Sequence, residues 1–125
     1  MAVPELSIIV VSYNTRELLA QCLGSLGAGA SRTPHEIIVV DNASRDGSVE
    51  MLGRQFPGAT SIANRVNVGF ARAVNQGIRA SRGEFLALVN SDAEALPGSL
   101  DALAAFLRAR PTVGAVGLFE AANGG

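Results

Sequence analysis

Blocks of apolar, largely β-branched residues alternate along this chain with stretches in which apolar residues recur every three or four positions. Leu6–Val11 is the first block and predicts a buried strand. Ser12-Tyr13-Asn14 ends it. Asn14 is placed to cap the next helix, with Glu17 as its capping-box partner. Leu18, Leu19, Cys22, Leu23 and Leu26 then keep helical spacing up to Gly27-Ala28-Gly29. The scheme repeats: Glu36–Val40 predicts a second strand, closed by Asp41-Asn42-Ala43-Ser44. Ser44 or Asp46 can cap a helix running to about Arg54, with Val49 and Leu52 inward. Pro57-Gly58 marks a turn, and Ala59–Ala63 predicts a short third strand.

Asn67-Val68-Gly69 opens a further helix, about Gly69–Ser81, with Phe70, Val74, Gly77 and Ile78 on its buried face. Glu84–Val89 is nearly all apolar and predicts a strand buried on both faces. It stops abruptly at Asn90-Ser91-Asp92. Pro97 fits the first turn of the next helix, whose inner stripe is Leu100, Leu103, Ala104 and Leu107. Pro111 ends it, and Val113–Phe119 predicts a last strand. Residues 121–125 read as a frayed or truncated end. Strand–helix alternation with short connections predicts one α/β domain over residues 1–125, a three-layer αβα arrangement around a mainly parallel, Rossmann-like sheet.

That topology gives the polar stops a meaning. Parallel strands bring their carboxyl ends to one edge, where ligands of open α/β sheets bind. Each polar cluster alone can be a helix cap or turn former; three converging on one edge, Ser12-Tyr13-Asn14, Asp41-Asn42 and Asn90-Ser91-Asp92, point to a site. Tyr13 offers a flat face for a base. Asp41 can accept hydrogen bonds from a pyrimidine imide or a ribose hydroxyl. The turn at Gly69 opens a helix whose free N–H groups suit an anion, and Arg72 in the first turn can add a bidentate phosphate contact or lie on the surface as a solvated arginine. Asp92 can hold a hard divalent cation, magnesium or manganese, that also grips a diphosphate.

Composition narrows the classes. A chain of 125 residues, 48% apolar, supports one domain with a core. The net charge of −1 gives no electrostatic case for a nucleic-acid partner; arginine supplies all ten positive charges. The single cysteine, Cys22, excludes an internal disulfide and reads as core. No basic-then-apolar leader and no membrane-length apolar run occurs, so a cytoplasmic protein is expected. Asn42-Ala43-Ser44 fits a glycosylation sequon only by chance in that setting. Gly-x-Gly-x-x-Gly, Walker and Gly-x-Ser-x-Gly patterns are missing. His35 reads as a strand-start residue.

Taken together, the segments Ser7–Asn14, Glu36–Ser48, Asn67–Gly77 and Gly83–Asp92, in that order and spacing, resemble the N-terminal half of the family 2 inverting glycosyltransferases with the GT-A fold, and within them the bacterial rhamnosyltransferase-like branch. The resemblance implies transfer of a sugar from a nucleotide-diphosphate donor to a hydroxyl acceptor, a glycan or lipid-linked glycan, in cell-wall or polysaccharide synthesis, in the cytoplasm or at the inner face of the membrane. It places Ser12, Tyr13, Asp41, Gly69, Arg72 and Asn90 on the donor nucleotide. Asn90-Ser91-Asp92 matches the family's Asp-x-Asp element, with Asp92 as the metal residue and Asn90, in place of a carboxylate, as an orienting group.

Family catalytic domains continue well past this length, and their later part carries the general base, so by the resemblance that base is expected beyond Gly125. No residue after Asp92 matches it: Glu94, Asp101 and Glu120 are the carboxylates available, and Asp101 reads as helix surface. The expectation is therefore a truncated, donor-binding half, inactive alone, with exposed apolar surface near Val113–Phe119 that favours a homodimer. A non-catalytic nucleotide-binding or assembly module is the alternative. A receiver-like domain phosphorylated at Asp41 is disfavoured, because the acidic pair and lysine of such sites are missing.

Overall fold

A computed structural model describes residues 3–27 and 32–110. Four strands, β1 (Leu6–Ser12), β2 (His35–Asp41), β3 (Thr60–Ala63) and β4 (Phe85–Asn90), alternate with four helices, α1 (Arg16–Leu26), α2 (Ser48–Gln55), α3 (Phe70–Ala80) and α4 (Ser99–Ala109). The strands form one sheet in the order β3-β2-β1-β4, and every pairing is parallel. This is the Rossmann-like α/β fold that the alternation predicts. The helix stop at Pro111, the predicted strand Val113–Phe119 and the final segment up to Gly125 lie outside the described residues, and so does the general base expected beyond Gly125.

Strand alternation sorts the layers. Leu6, Ile8 and Val10 of β1, Val39 of β2, and Ala87 and Val89 of β4 share one core with α1, α2 and α4. Leu19, Cys22, Leu23 and Leu26 come from α1, Met51 and Leu52 from α2, and Leu100, Leu103 and Leu107 from α4. The opposite face is covered by α3, which packs on β1 and β2. Contact there is close: a Cβ at Gly77 would stand 2.6 Å from Cγ2 of Ile9, so glycine lets the helix settle on the strand.

Several expectations are corrected. Only one face of β4 is buried. Leu86 and Leu88 flank Ser7 and Ile9 on the α3 side of the sheet, but α3 stands over β1 and β2, leaving Leu88 52% exposed. For the same reason Phe70 and Ile78 are exposed, and the buried face of α3 is Ala73, Val74 and Gly77. Leu18 is exposed too. Val49 is half-buried while Met51 takes the inward place beside Leu52. Asn14 is not the cap of α1: it adopts φ 53°, Thr15 takes the N-cap position, and Glu17 pairs with Arg16 at 2.7 Å. Pro97 falls ahead of α4, which begins at Ser99 after Gly98. Asp101 is no mere surface residue. Its Oδ1 accepts from the Thr33 N–H at 2.9 Å and the Thr33 hydroxyl at 2.6 Å, tying α4 to the entry of β2.

Candidate nucleotide-sugar site

The register brings the polar stops level: Ser12 pairs with Asp41, Asp41 with Ala63, and Val11 with Asn90. From β1 the chain proceeds outward through β2 to β3, then returns across the sheet to β4 on the other side of β1. The β1/β4 boundary is thus the topological switch point, where a crevice opens beyond the strand ends.

On the β2/β3 side lies an open cleft of about 550 Å³ lined by Tyr13, Ala43, Ser44, Arg45, Asn64, Arg65, Val66 and Asn67. Tyr13 is 51% exposed, presenting its ring to solvent. Asp41, 1% exposed, lies beneath. Its backbone oxygen accepts from Asn64 N–H at 2.9 Å, and its Oδ2 from Ser44 N–H at 2.9 Å, both residues of the cleft wall. Its Oδ1 is buried with no hydrogen-bond partner. An orphaned carboxylate oxygen is costly, and a donor brought by a ligand would relieve it. Arg45 and Arg65 line the same cleft and join none of the ion pairs seen among the described residues.

The walls are held by residues of the strand stops together with two, Asn64 and Gln76, that their local sequence does not single out. Asn42 is buried; its Nδ2 donates to Gly69 O at 3.2 Å, and its Oδ1 accepts from Val68 N–H at 3.2 Å and Asn64 Nδ2 at 3.1 Å. Asn64 and Gln76 exchange amide hydrogen bonds at 2.8 and 2.9 Å. Gly69, with φ 87°, allows the sharp entry into α3. Asn14 Oδ1 accepts from Arg45 N–H at 2.8 Å, while Asn14 N–H donates to Ser44 Oγ at 2.8 Å, joining the β1 and β2 ends. The N-cap of α2 is Gly47, not Ser44 or Asp46; Asp46 instead accepts the first N–H of both neighbouring helices, Oδ2 from Arg16 N–H at 2.9 Å and Oδ1 from Ser48 N–H at 3.1 Å. These contacts, hydrogen bonds from Ser48 Oγ foremost, hold its carboxyl below the ordinary range. The one signal that could have found Asn64 is its place at the end of β3, where the fourth strand stop belongs.

Across the switch point, Asn90-Ser91-Asp92-Ala93 forms a turn closed by Ala93 N–H on Asn90 O at 3.0 Å. The Cys22 thiol donates to the same oxygen at 3.6 Å. Burial, and then the charges of Asp92 and Glu94, push that thiol up to about 11, so it stays a neutral donor. Ser12 is fully buried, its hydroxyl 3.1 Å from that of Thr15. Asn90 and Asp92 are exposed. Among the described residues nothing bonds the Asp92 carboxylate, and no group of three or more His, Cys, Asp or Glu exists to cage a metal. One open carboxylate with an amide nearby fits magnesium or manganese that takes its remaining ligands from phosphate and water. Arg72 sits apart from the Tyr13 cleft, in a groove of about 400 Å³ with Val68, Asn75, Gln76 and Arg79.

Comparison with known proteins agrees with this architecture. A poly(ribitol-phosphate) beta-glucosyltransferase of Bacillus spizizenii is 32% identical over 93 residues, 70% of this chain and 15% of that protein. The N-acetylglucosaminyl-diphospho-decaprenol L-rhamnosyltransferase of Mycobacterium tuberculosis is 29% identical over 124 residues, 90% of this chain and 40% of that protein. Among solved structures, the mannosyltransferase PcManGT of Pyrobaculum calidifontis, in complex with GDP-Man and Mn2+, superposes with a TM-score of 0.77 at 29% identity, covering 91% of this chain and 35% of that one. The chain thus spans well under half of each. The profile of "Glycosyl transferase family 2" matches residues 7–125, and the chain belongs to that family.

Proposed function

We propose that this chain carries the donor-binding half of an inverting GT-A glycosyltransferase, taking a nucleotide-diphosphate sugar at the carboxyl edge of its sheet. The observation that carries the reading is Asp41: a buried carboxylate with one oxygen satisfied by Ser44 and the other orphaned, under a cleft walled by Tyr13 and Asn64. That arrangement suits a base whose N–H completes the carboxylate while Tyr13 stacks on its ring. Arg45 and Arg65 raise the positive potential of the cleft. Gly69 at the head of α3 serves the phosphates, with Ser12 and Asn90 shaping the floor beside it, while Arg72, one turn on but in a separate groove, contributes its charge from outside the cleft. Asp92 would hold magnesium or manganese, a role supported by the Mn2+ of the mannosyltransferase complex. When bound, that metal offsets charge developing on the departing diphosphate.

The acceptor is read as a hydroxyl of a glycan or lipid-linked glycan, and the branch as rhamnosyltransferase-like, supported by Asn90 and by the mycobacterial match along 90% of the chain. A lipid-linked acceptor would put the protein at the inner face of a membrane; no helix among the described residues is long and apolar enough to cross one. Self-association belongs to the same reading, through the apolar surface expected near Val113–Phe119, outside the described residues, together with the exposed Leu86 and Leu88 of β4; a monomer at high concentration by light scattering would remove it. Calorimetric titration with uridine, thymidine and guanosine diphosphates, with and without Mn2+, tests the site. Saturable binding that Asp41→Ala abolishes is expected, and no binding of any of them would overturn the reading. The general base belongs, on this reading, to sequence beyond Gly125. The 125-residue chain alone is therefore expected to bind donor without transferring sugar; measurable transfer would contradict that.

A further inference from the structure

Thr15 occupies the N-cap position of α1, yet its side chain makes no capping hydrogen bond. A threonine there ordinarily accepts from a first-turn N–H, a contribution of about 1 kcal/mol. Here Asp46, from the loop after β2, accepts the Arg16 N–H instead. The Thr15 hydroxyl is directed across the switch point: it donates to Ser91 Oγ at 3.1 Å, a residue 76 positions away in the turn that carries Asp92. Its other neighbour is Ser12 Oγ at 3.1 Å, at the buried end of β1.

A hydroxyl has one proton. Because Thr15 gives its proton to Ser91, Ser12 gives its own to Thr15. The chain of donation therefore runs outward, from Ser12 to Thr15 to Ser91, and the Ser91 proton is left over. Among the described residues it has no protein acceptor. The turn, closed on itself by Ala93 N–H on Asn90 O, is also tied to α1 by the Cys22 thiol on the same oxygen. The Asp92 backbone is thus fixed relative to β1 while its carboxylate stays open.

We propose that Thr15 is a positioning residue for the diphosphate end of the site: its hydroxyl registers the Asn90–Asp92 turn against the β1 terminus and leaves the Ser91 proton to a phosphate oxygen of the donor. This deepens the donor-site reading above and rests on it. The base end, at Asp41 and Tyr13, is independent of the bridge, so loss of Thr15 weakens phosphate and metal recognition while leaving nucleoside recognition intact. A merely structural threonine would weaken both together.

The test is calorimetry on wild type, Thr15→Val, Thr15→Ser, Ser91→Ala and the Thr15→Val/Ser91→Ala double variant, using uridine and uridine diphosphate, the latter with and without Mn2+, or thymidine or guanosine and its diphosphate should the wild type prefer that base. Thr15→Val keeps the shape and removes the hydroxyl; thermal melting confirms that each variant folds. The wild type should gain affinity from the diphosphate with Mn2+ over the bare nucleoside. Thr15→Val and Ser91→Ala should each lose about fivefold of that gain, the double variant should lose no more than either, and Thr15→Ser should restore it. Nucleoside affinity should change less than twofold in all of them. Paramagnetic resonance of Mn2+ titrated into the diphosphate complex should show the same ranking. An unchanged diphosphate gain in Thr15→Val, or an equal loss for nucleoside and diphosphate, overturns the role of Thr15 with the site itself intact. Absence of wild-type binding to any of the three diphosphates, of uridine, thymidine and guanosine, overturns the site and this inference together.

Discussion

The two ends of the parallel sheet are built from similar polar residues and treat them in opposite ways. At the amino end, Glu36 Oε2 accepts from Ser7 Oγ and from Arg82 N–H, both at 2.6 Å, and Arg82 Nε reaches Oε1 at 3.2 Å. Gly83 N–H donates to Ser7 Oγ at 2.8 Å, Arg108 pairs with Glu5, and Asp101 holds Thr33. At the carboxyl end, Asp41 keeps an orphaned oxygen, Asp92 stands open, and Tyr13 is turned to water. The amino end spends its charges on the fold. The carboxyl end withholds some of them, and a ligand is the natural recipient.

The largest expected effect sharpens that contrast. Glu36→Ala strips the acceptor from Ser7 and from the Arg82 backbone and should destabilise the protein by about 2 kcal/mol, read as a lower urea midpoint, with nucleotide binding unchanged. Asp41→Ala should do the reverse, removing binding while costing little stability, because one of its oxygens contributes nothing to the apo fold. If Asp41→Ala proves the more destabilising of the two, the division between the ends is wrong.

A substitution at neither end calibrates the scale. Gly77→Ala would place a methyl 2.6 Å from Ile9 Cγ2 and should cost about 1 kcal/mol, overpacking being partly offset by the better helix propensity of alanine. Chemical denaturation should show that loss without a selective change in either uridine diphosphate or Mn2+ binding. A neutral result would mean that α3 can lift from β1.

Acid titration probes the amino end more gently. Burial alone would raise the Glu36 carboxyl, but hydrogen bonds from Ser7 and Arg82 outweigh it and hold it below its ordinary 4.5. The unfolded state therefore binds the proton first. The stabilisation is complete above about pH 4.5 and fades as pH falls below it. Wild type should lose urea resistance between pH 5 and pH 3, roughly the span of carboxylate titration, and Glu36→Gln should flatten part of that slope. An identical slope in Glu36→Gln would assign the acid lability elsewhere.

How much of this was legible in the sequence differs between the ends and between the layers. The strand–helix order and the converging stops at Ser12, Asp41 and Asn90 could be read because apolar periodicity and strand direction are local facts that topology then assembles. The exposure of one face of β4 is not legible, because Leu86 and Leu88 look like core whether or not a helix covers them. Phe70 and Ile78 share the difficulty: hydrophobicity records what a side chain prefers, and coverage depends on where α3 lies. Thr15 and Asn64 are hard to read for another reason. A threonine before a helix reads as a cap and an asparagine after a strand as a turn, and only the contacts to Ser91 and Gln76 show otherwise.

The smallest expected effect bears most directly on why the ends differ. Among the described residues, the non-glycine positions with positive φ are Asn14, at 53°, and Ala43, at 69°, and both belong to the carboxyl end. Asparagine tolerates this region, whereas for alanine the crowding of Cβ costs about 1 kcal/mol. Ala43 lines the cleft between Asn42, which anchors the Gly69 turn, and Ser44, which donates to Asp41. Ala43→Gly should therefore stabilise the protein by about 0.5 kcal/mol, the relief of strain being partly offset by the greater freedom of an unfolded glycine. The same change frees the loop before ligand arrives, so nucleotide binding should weaken by about twofold as preorganisation is lost. A rise in the urea midpoint together with a weaker calorimetric affinity would show that the strain at this end serves the site. A fall in stability would mean that the Ala43 backbone is at rest and that the asymmetry lies in the hydrogen bonds alone.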